Sequence, residues 1–315
     1  MIYFKNSNWY HFLKGVRPCL LLLFCIFFVA QMQAQLLSPA DYALLQERET
    51  AMKLQAANMI SAPLPMDRFA ADSIFIKQLV LALKTPYAFY YPFDSIRSVS
   101  KIYASDSSFR IFTWQIQRDE SYFRQYGAIQ MNTSNGSLKL FPLLDVSDFV
   151  SEPVDSIRTN KNWIGAIYYA MVEKRYEGKK YYTLLGYDDN DFTTTRKWIE
   201  ILTFNEKEEP VFGGNYFVYP ADGLKPDPPV NRMLIEYKKD AGVRVVYDTA
   251  LDLIMMEHLI SLENDDTKKY TLVPDGDFDA FEWKMGKWHY VEKVFKDKLE
   301  DGEAPTPVPI FDDKQ

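Results

Sequence analysis

The chain has 315 residues, 47% of them apolar and 16% aromatic, which is enough to bury one large core or two smaller ones and too apolar for a disordered protein. Its 36 Lys and Arg are outnumbered by 43 Asp and Glu, a balance that argues against nucleic acid or anionic lipid as a partner, since both reward clustered positive charge.

Residues 1–34 separate from the rest. A basic region with Lys5, Lys14 and Arg17 precedes the apolar run Cys19 to Ala30 and then a polar stretch containing Ala34. This is the layout of a secretory signal peptide, and the apolar run is shorter than the roughly 20 residues of a membrane-spanning helix. Cleavage is expected near Ala34, leaving an exported chain with no membrane span, destined for the periplasm, the outer envelope or the exterior. An uncleaved anchor is the alternative, because Met32 is not the small residue preferred three positions before the new terminus. Phe24 before Cys25 and Pro18 before Cys19 do not fit a lipoprotein signal. Both cysteines of the chain fall within this segment, so the mature protein is expected to lack thiols and to rest on its hydrophobic core, without disulfides or zinc-thiolate sites. It keeps 33 Lys and Arg against 43 Asp and Glu, a net charge of -10.

Ser38-Pro39-Ala40-Asp41 predicts a helix start, with Ser38 as cap, Pro39 at the first helical position and Asp41 beside the positive helix end. The helix is expected to run to about Asn58, with Tyr42, Leu45, Met52, Ala56 and Met59 on one stripe that Glu49 interrupts. After Pro63-Leu64-Pro65 a second helix is expected over about Asp67 to Lys84, its apolar side carrying Phe69, Ile76, Val80 and Leu83.

From Phe93 the period changes to that of strands. Residues 109–117 and 122–132 alternate, and Asn135-Gly136 predicts a two-residue hairpin turn into a strand over 138–143. Residues 147–162 read as a connecting loop. Residues 163–187 read as a long hairpin about Glu177-Gly178 that pairs Met171 with Leu184, Val172 with Thr183, Ala170 with Leu185 and Tyr168 with Tyr187; Tyr169 then covers Gly186. A strand follows over 197–204, and 219–231 with its four prolines must be a loop. Residues 232–237 and 243–248 are expected to pair as a hairpin about 239–242, and 251–260 to continue as a strand. The last hairpin turns at Met285-Gly286 and sets Trp283 opposite Trp288 and His289 opposite Glu282.

The expected fold is therefore mainly β, an antiparallel meander of sandwich- or barrel-like form with two N-terminal helices. A degenerate propeller is the alternative, although no motif repeats from hairpin to hairpin. The expected divisions are a signal over 1–34, a helical segment over 35–90, a β-rich domain over 91–299 and a mobile Pro-rich acidic tail over 300–315.

The combination of FRIFTWQ (109–115), YYTLLGYD (181–188), VFGG (211–214), RMLIEYKKDAGVRVVYD (232–248) and LVPDGDFDAFEWKMGKW (272–288) resembles exported proteins of unknown function from Bacteroidota-type bacteria. The resemblance implies an exported, β-rich envelope protein and supplies no catalytic residue. Four Asp-Ser/Thr-apolar triplets, centred on Ser73, Ser95, Ser156 and Thr249, resemble sites that such bacteria O-glycosylate; the alternative is that they serve as turns and caps. Asn132-Thr133-Ser134 fits an N-glycosylation acceptor as well.

Asp275, Asp277 and Asp279 alternate as calcium-loop ligands do, but Ala280 and Gly286 stand where an EF-type loop needs Gly and Glu. Of the two histidines beyond residue 34, His289 is accounted for by Glu282 across the hairpin, and His258 has no metal-ligand spacing to another histidine. There is no nucleophile elbow, H-E-x-x-H, P-loop or dinucleotide fingerprint. Trp114, Trp163, Trp198, Trp283 and Trp288 read as core residues, with stacking on sugar rings as the alternative. These features favour a non-enzymatic envelope module that interacts with a protein or glycan and needs no cofactor. A hydrolase of carbohydrate or envelope polymer using paired carboxylates and a calcium-dependent binding protein are the alternatives.

Overall fold

The computed structural model describes residues 36–295; the expectations for residues 1–34 and 300–315 lie outside that range. The protein is mainly β, with two N-terminal helices and largely antiparallel sheets, none of which closes into a barrel. The chain divides into two compact units, with the division between Asp145 and Val146.

In the first unit, helix α1 (Pro39–Ser61) begins at Ser38, whose hydroxyl oxygen accepts the Asp41 amide at 3.0 Å and whose O–H donates to the Asp41 carboxylate at 2.7 Å. The stripe it buries is Leu45, Glu49, Met52, Ala56 and Met59, so the residue that interrupts the apolar pattern belongs to the core-facing row. Glu49 accepts from the Ser95 amide at 2.8 Å and from the Tyr91 hydroxyl at 2.5 Å. Burial opposes its ionisation, but the hydrogen bonds from Ser95 and Tyr91 outweigh that cost and hold its carboxyl below the ordinary value.

Helix α2 (Pro65–Leu83) buries Ala71, Asp72, Phe75, Leu79, Ala82 and Leu83. Phe69, Ile76 and Val80, expected on the apolar side, are half-buried on its flank. The face is rotated because Asp72 is satisfied inside: the Trp114 indole donates to it at 2.7 Å. Burial pushes the Asp72 carboxyl up to about 6 against the hydrogen bonds from Trp114 and Tyr126.

Both helices share their core with a four-stranded sheet ordered β1 (Ser100–Tyr103), β2 (Phe109–Asp119), β3 (Tyr122–Met131), β4 (Lys139–Leu143). Phe75 meets Trp114 edge to face at 5.5 Å, and Trp114 stacks on Tyr126 at 5.8 Å. The turn expected at Asn135-Gly136 takes a different form. Met131 pairs with Lys139, and the connection over 132–138 closes a turn through the Gly136 amide on the Thr133 carbonyl at 3.1 Å. Gly136 then receives the Tyr87 amide on its own carbonyl at 3.0 Å and sits so close to that ring that a Cβ would lie 2.7 Å from it. The connection is shaped by this non-local contact, not by the dipeptide alone.

The second unit contains two sheets. One holds β5 (Arg158–Thr159), β6 (Ile167–Tyr176), β7 (Lys179–Asp188), β8 (Thr194–Phe204), β9 (Pro210–Phe212) and β11 (Met233–Lys238); the other is ordered β10 (Phe217–Val218), β15 (Lys287–Val291), β14 (Leu272–Lys284), β13 (Leu253–Ser261), β12 (Val245–Asp248), with β10 and β15 parallel. The sheets meet through Trp288, whose indole donates to the Thr183 hydroxyl at 2.9 Å, and through Trp283, 5.4 Å from the Tyr181 ring. The last hairpin keeps the expected register, with Trp283 opposite Trp288 and His289 opposite Glu282.

Two pairings differ from expectation. In the β6–β7 hairpin, Met171, Val172 and Ala170 face Leu184, Thr183 and Leu185 as expected, but a bulge then places Tyr168 opposite Gly186 and Ile167 opposite Tyr187. It is therefore Tyr168, and not Tyr169, that crosses from Gly186. Residues 232–237 and 243–248 do not pair with each other: β11 joins the long strand β8 over Thr194 to Ile199, and β12 joins β13 in the other sheet. The propeller alternative fails on the same connectivity, because consecutive strands leave for different sheets. β8 can accept β11 because β9 occupies only its far end, Leu202 to Phe204.

On the face of β8 turned away from Trp288, the fully buried Tyr168 donates to Glu200, and the Arg232 guanidinium bonds Glu200 at 3.0 Å. The Trp163 indole donates to the Tyr168 hydroxyl at 2.8 Å, and Arg232 also donates to the carbonyls of Pro153 and Ser156. A buried ion pair of this kind is strongly destabilising to break, since one charge is left without its partner.

Candidate functional site

The structure does not gather the sequence-derived candidates into one place. Asp275, Asp277 and Asp279 lie on β14 at a register shift against β13, where Pro274 pairs with Leu259 and Phe278 with Glu257. The irregularity breaks the alternation that would aim all three carboxylates alike, and each has its own partners. Asp275 bonds His258 Nδ1 at 2.9 Å, Asp277 pairs with Lys293 at 2.9 Å, and Asp279 accepts the Tyr290 hydroxyl at 2.6 Å and the Lys293 amide at 3.1 Å. Among the described residues no group of three or more His, Cys, Asp or Glu is placed to hold a metal ion. His289 keeps its position across from Glu282, whose carboxylate pairs with Lys284 at 2.6 Å.

Of the proposed glycosylation positions, Ser156 and Thr249 are exposed, outside regular strands. Ser95 is half-buried and bonded to Glu49. Ser73 is exposed in the middle of α2, its hydroxyl donating to the Phe69 carbonyl at 3.0 Å. The Asn132 amide donates to the Ser107 carbonyl at 2.9 Å and to the Tyr90 hydroxyl at 3.2 Å. Trp114, Trp163, Trp198 and Trp288 are buried, and Trp283 is half-buried.

One feature with chemical potential is a pocket that sequence reasoning missed. It has a volume of about 460 Å³ and lies where the β6–β7–β8–β11 surface meets the segment leading into β12. That is within the roughly 300–1,000 Å³ range of small-molecule sites. Four strands supply its floor. Tyr187 of β7 pairs directly with Lys197 of β8, and on the other edge of β8 Tyr237 of β11 pairs with Thr195. Tyr169 arrives through the β6 bulge. Tyr168 is committed to Glu200 on one face of the sheet, and the extra residue in the bulge lets the next side chain reach Lys197 on the other.

The rims of the pocket are tied down. The Tyr169 hydroxyl donates to the Val245 carbonyl at 2.8 Å, which links β6 to β12 across the two sheets. The Tyr187 hydroxyl donates to Asp189 at 2.6 Å, and Lys239 bonds the same residue at its carbonyl, 2.8 Å, and its carboxylate, 3.1 Å. Arg244 is held by Glu257 at 3.2 Å. Burial raises the Tyr169 and Tyr187 phenols above the ordinary value and pushes Tyr237 up to about 12, so all three rings stay neutral across the physiological range.

Lys197 is the exception. Its ammonium nitrogen lies 4.7 Å from the centre of the Tyr169 ring and 4.9 Å from that of Tyr187. Among the described residues it makes no salt bridge with any carboxylate, and burial draws its pKa below the ordinary lysine value. Two ring faces at this distance return about 0.5–2 kcal/mol each to the charged form, which favours a cation that has no salt-bridge partner among the described residues. An anion entering the pocket would supply the missing charge.

The sequence signal was faint: Lys197 stands in a strand of otherwise ordinary alternation, and the three tyrosines are scattered over three other strands. Comparison with protein-family models, with characterised proteins and with solved structures finds no match to this chain.

Proposed function

We propose that this chain is an exported, non-enzymatic binding module of the cell envelope and that its ligand occupies the pocket around Lys197. The observation that carries the reading is Lys197 itself, a partly desolvated ammonium set between two tyrosine faces in a pocket of ligand size and, among the described residues, in no salt bridge. Retaining such a charge costs folding free energy, which a ligand that pairs with it offsets. Export rests on the basic, apolar and polar layout of residues 1–34. A hydrolase with paired carboxylates would have to draw on Asp189 and Asp240, the two on this lining, and Asp189 is engaged by Tyr187 and Lys239.

A thermal-shift survey of envelope glycans and their fragments tests this on the purified chain and its Lys197→Met variant. The expected result is a melting temperature that climbs with ligand concentration in the parent and stays flat in the variant. Equal shifts in both proteins would remove the pocket from the account. Release of reducing ends during the incubation would identify the hydrolase instead.

A further inference from the structure

We infer that the ligand of the Lys197 pocket is a sugar that carries a carboxylate, its single negative charge pairing with the Lys197 ammonium while the sugar ring lies among Tyr169, Tyr187 and Tyr237. This deepens the binding-module reading and rests on it.

Charge sets the first limit. Three cations line the pocket, but Lys239 is paired with Asp189 and Arg244 with Glu257. Lys197 is therefore the lining cation that, among the described residues, has no salt bridge, and with the Asp240 carboxylate also on the lining the formal charges of these groups already balance. A ligand that pairs with Lys197 then adds one negative charge more readily than two. A phosphate monoester brings about -1.5 to -2 charges at neutral pH, and its excess would meet Asp189 and Asp240 with no second unpaired cation on the lining among the described residues.

Size and lining set the second limit. A bare carboxylate leaves most of about 460 Å³ unfilled. The rest of the lining mixes tyrosine rings with the Thr195 hydroxyl and the Asp189 carboxylate, so apolar faces alternate with hydrogen-bonding groups. A purely aromatic acid would desolvate the partly exposed Asp189 carboxylate without offering it a donor, at a cost. A sugar ring has C–H faces for the tyrosines and hydroxyls for the polar groups, and so meets both halves of the lining.

The test is calorimetric titration of the full chain with four probes: sodium glucuronate, glucose, acetate and glucose 6-phosphate. Lys197→Met and the isosterically milder Lys197→Gln are measured alongside, each first shown to melt cooperatively. Glucuronate is expected to bind at least about tenfold more tightly than each of the other three, and to lose about tenfold or more in both variants. Its affinity should weaken as salt rises, as expected for a charge pair. Glucose equal to glucuronate overturns the role of the carboxylate, acetate equal to glucuronate overturns the role of the ring, and glucose 6-phosphate above glucuronate overturns the monoanion. If no probe binds while the glycan survey still gives a Lys197-dependent shift, the inference fails and the binding pocket stands. If both are silent, both fail.

Discussion

Each of the two units holds a cation among aromatic rings, and the two cations are treated in opposite ways. In the first, Arg110 is fully buried and surrounded by Phe89, Phe93, Tyr103 and Phe112, with its guanidinium carbon 4.7–5.5 Å from the ring centres. Each of its three nitrogens donates to a fixed acceptor: Nε to Gln130 at 2.8 Å, Nη1 to the Tyr91 carbonyl at 2.6 Å and the Tyr103 hydroxyl at 2.7 Å, and Nη2 to the Ala88 carbonyl at 2.8 Å. In the second unit Lys197 has the rings and, among the described residues, no acceptor. A third case lies between them: Lys174 sits over Tyr247 and Trp288 and is paired with Asp252. The rings alone do not tell a structural cation from a binding one. The polar partners do, because a satisfied cation ties elements together and an unsatisfied one is available to something from outside.

The comparison can be broken by neutralising the members in turn. Arg110→Met should be the most damaging, since it orphans buried acceptors at about 1–3 kcal/mol each; a loss of about 3 kcal/mol or more is expected in the unfolding transition of the first unit, followed by chemical denaturation. A loss under about 1 kcal/mol would show that the cage does not depend on its cation.

Next comes a buried carboxylate that resists ionisation. The folded pKa of Asp72 is raised from 3.8 to about 6, so the native state binds more protons than the unfolded chain between those values. The stability linked to this group is therefore fully present below pH 3.8 and is lost as pH rises through about 6. Asp72→Asn, which keeps an oxygen for the Trp114 indole, should remove that decline and so gain on the parent at pH 8 relative to pH 4. Parallel stability curves for the two proteins would contradict the assignment.

Lys174→Met should cost about 1 kcal/mol or less, because the Asp252 partner is 63% exposed and returns to water when released. Lys197→Met should be the mildest, within about 0.5 kcal/mol of the parent, since the two ring contacts it gives up are offset by the desolvation cost it removes. A loss of several kcal/mol from Lys197→Met would place this lysine with Arg110 as a structural cation.

What could be read from the sequence was whatever local chemistry decides. Ser38 and Pro39 mark the start of α1, Glu177-Gly178 sets the turn of the β6–β7 hairpin, and Met285-Gly286 aligns Trp283 with Trp288. Where partners are distant the pattern was ambiguous. Residues 232–237 and 243–248 look like one hairpin, but the free edge of β8 and the free edge of β13 compete for them and win. Glu49 read as a defect in a helical stripe because its partners, Tyr91 and Ser95, are more than 40 residues away in the chain. The pocket was hidden for the same reason, since Tyr169, Tyr187, Lys197 and Tyr237 come together only through a bulge and a strand pairing that alternation does not encode.

The most direct measurement is an NMR titration of the Lys197 ammonium, assigned through the Lys197→Met variant in protein labelled at the lysine ε-carbons. A partly desolvated, unpaired ammonium should titrate below the ordinary 10.5 and move upward when glucuronate is added, as an opposite charge arrives beside it. A titration at or above 10.5 that ignores every ligand would mean that Lys197 already has its counterion, and the pocket would not be the binding site proposed for it.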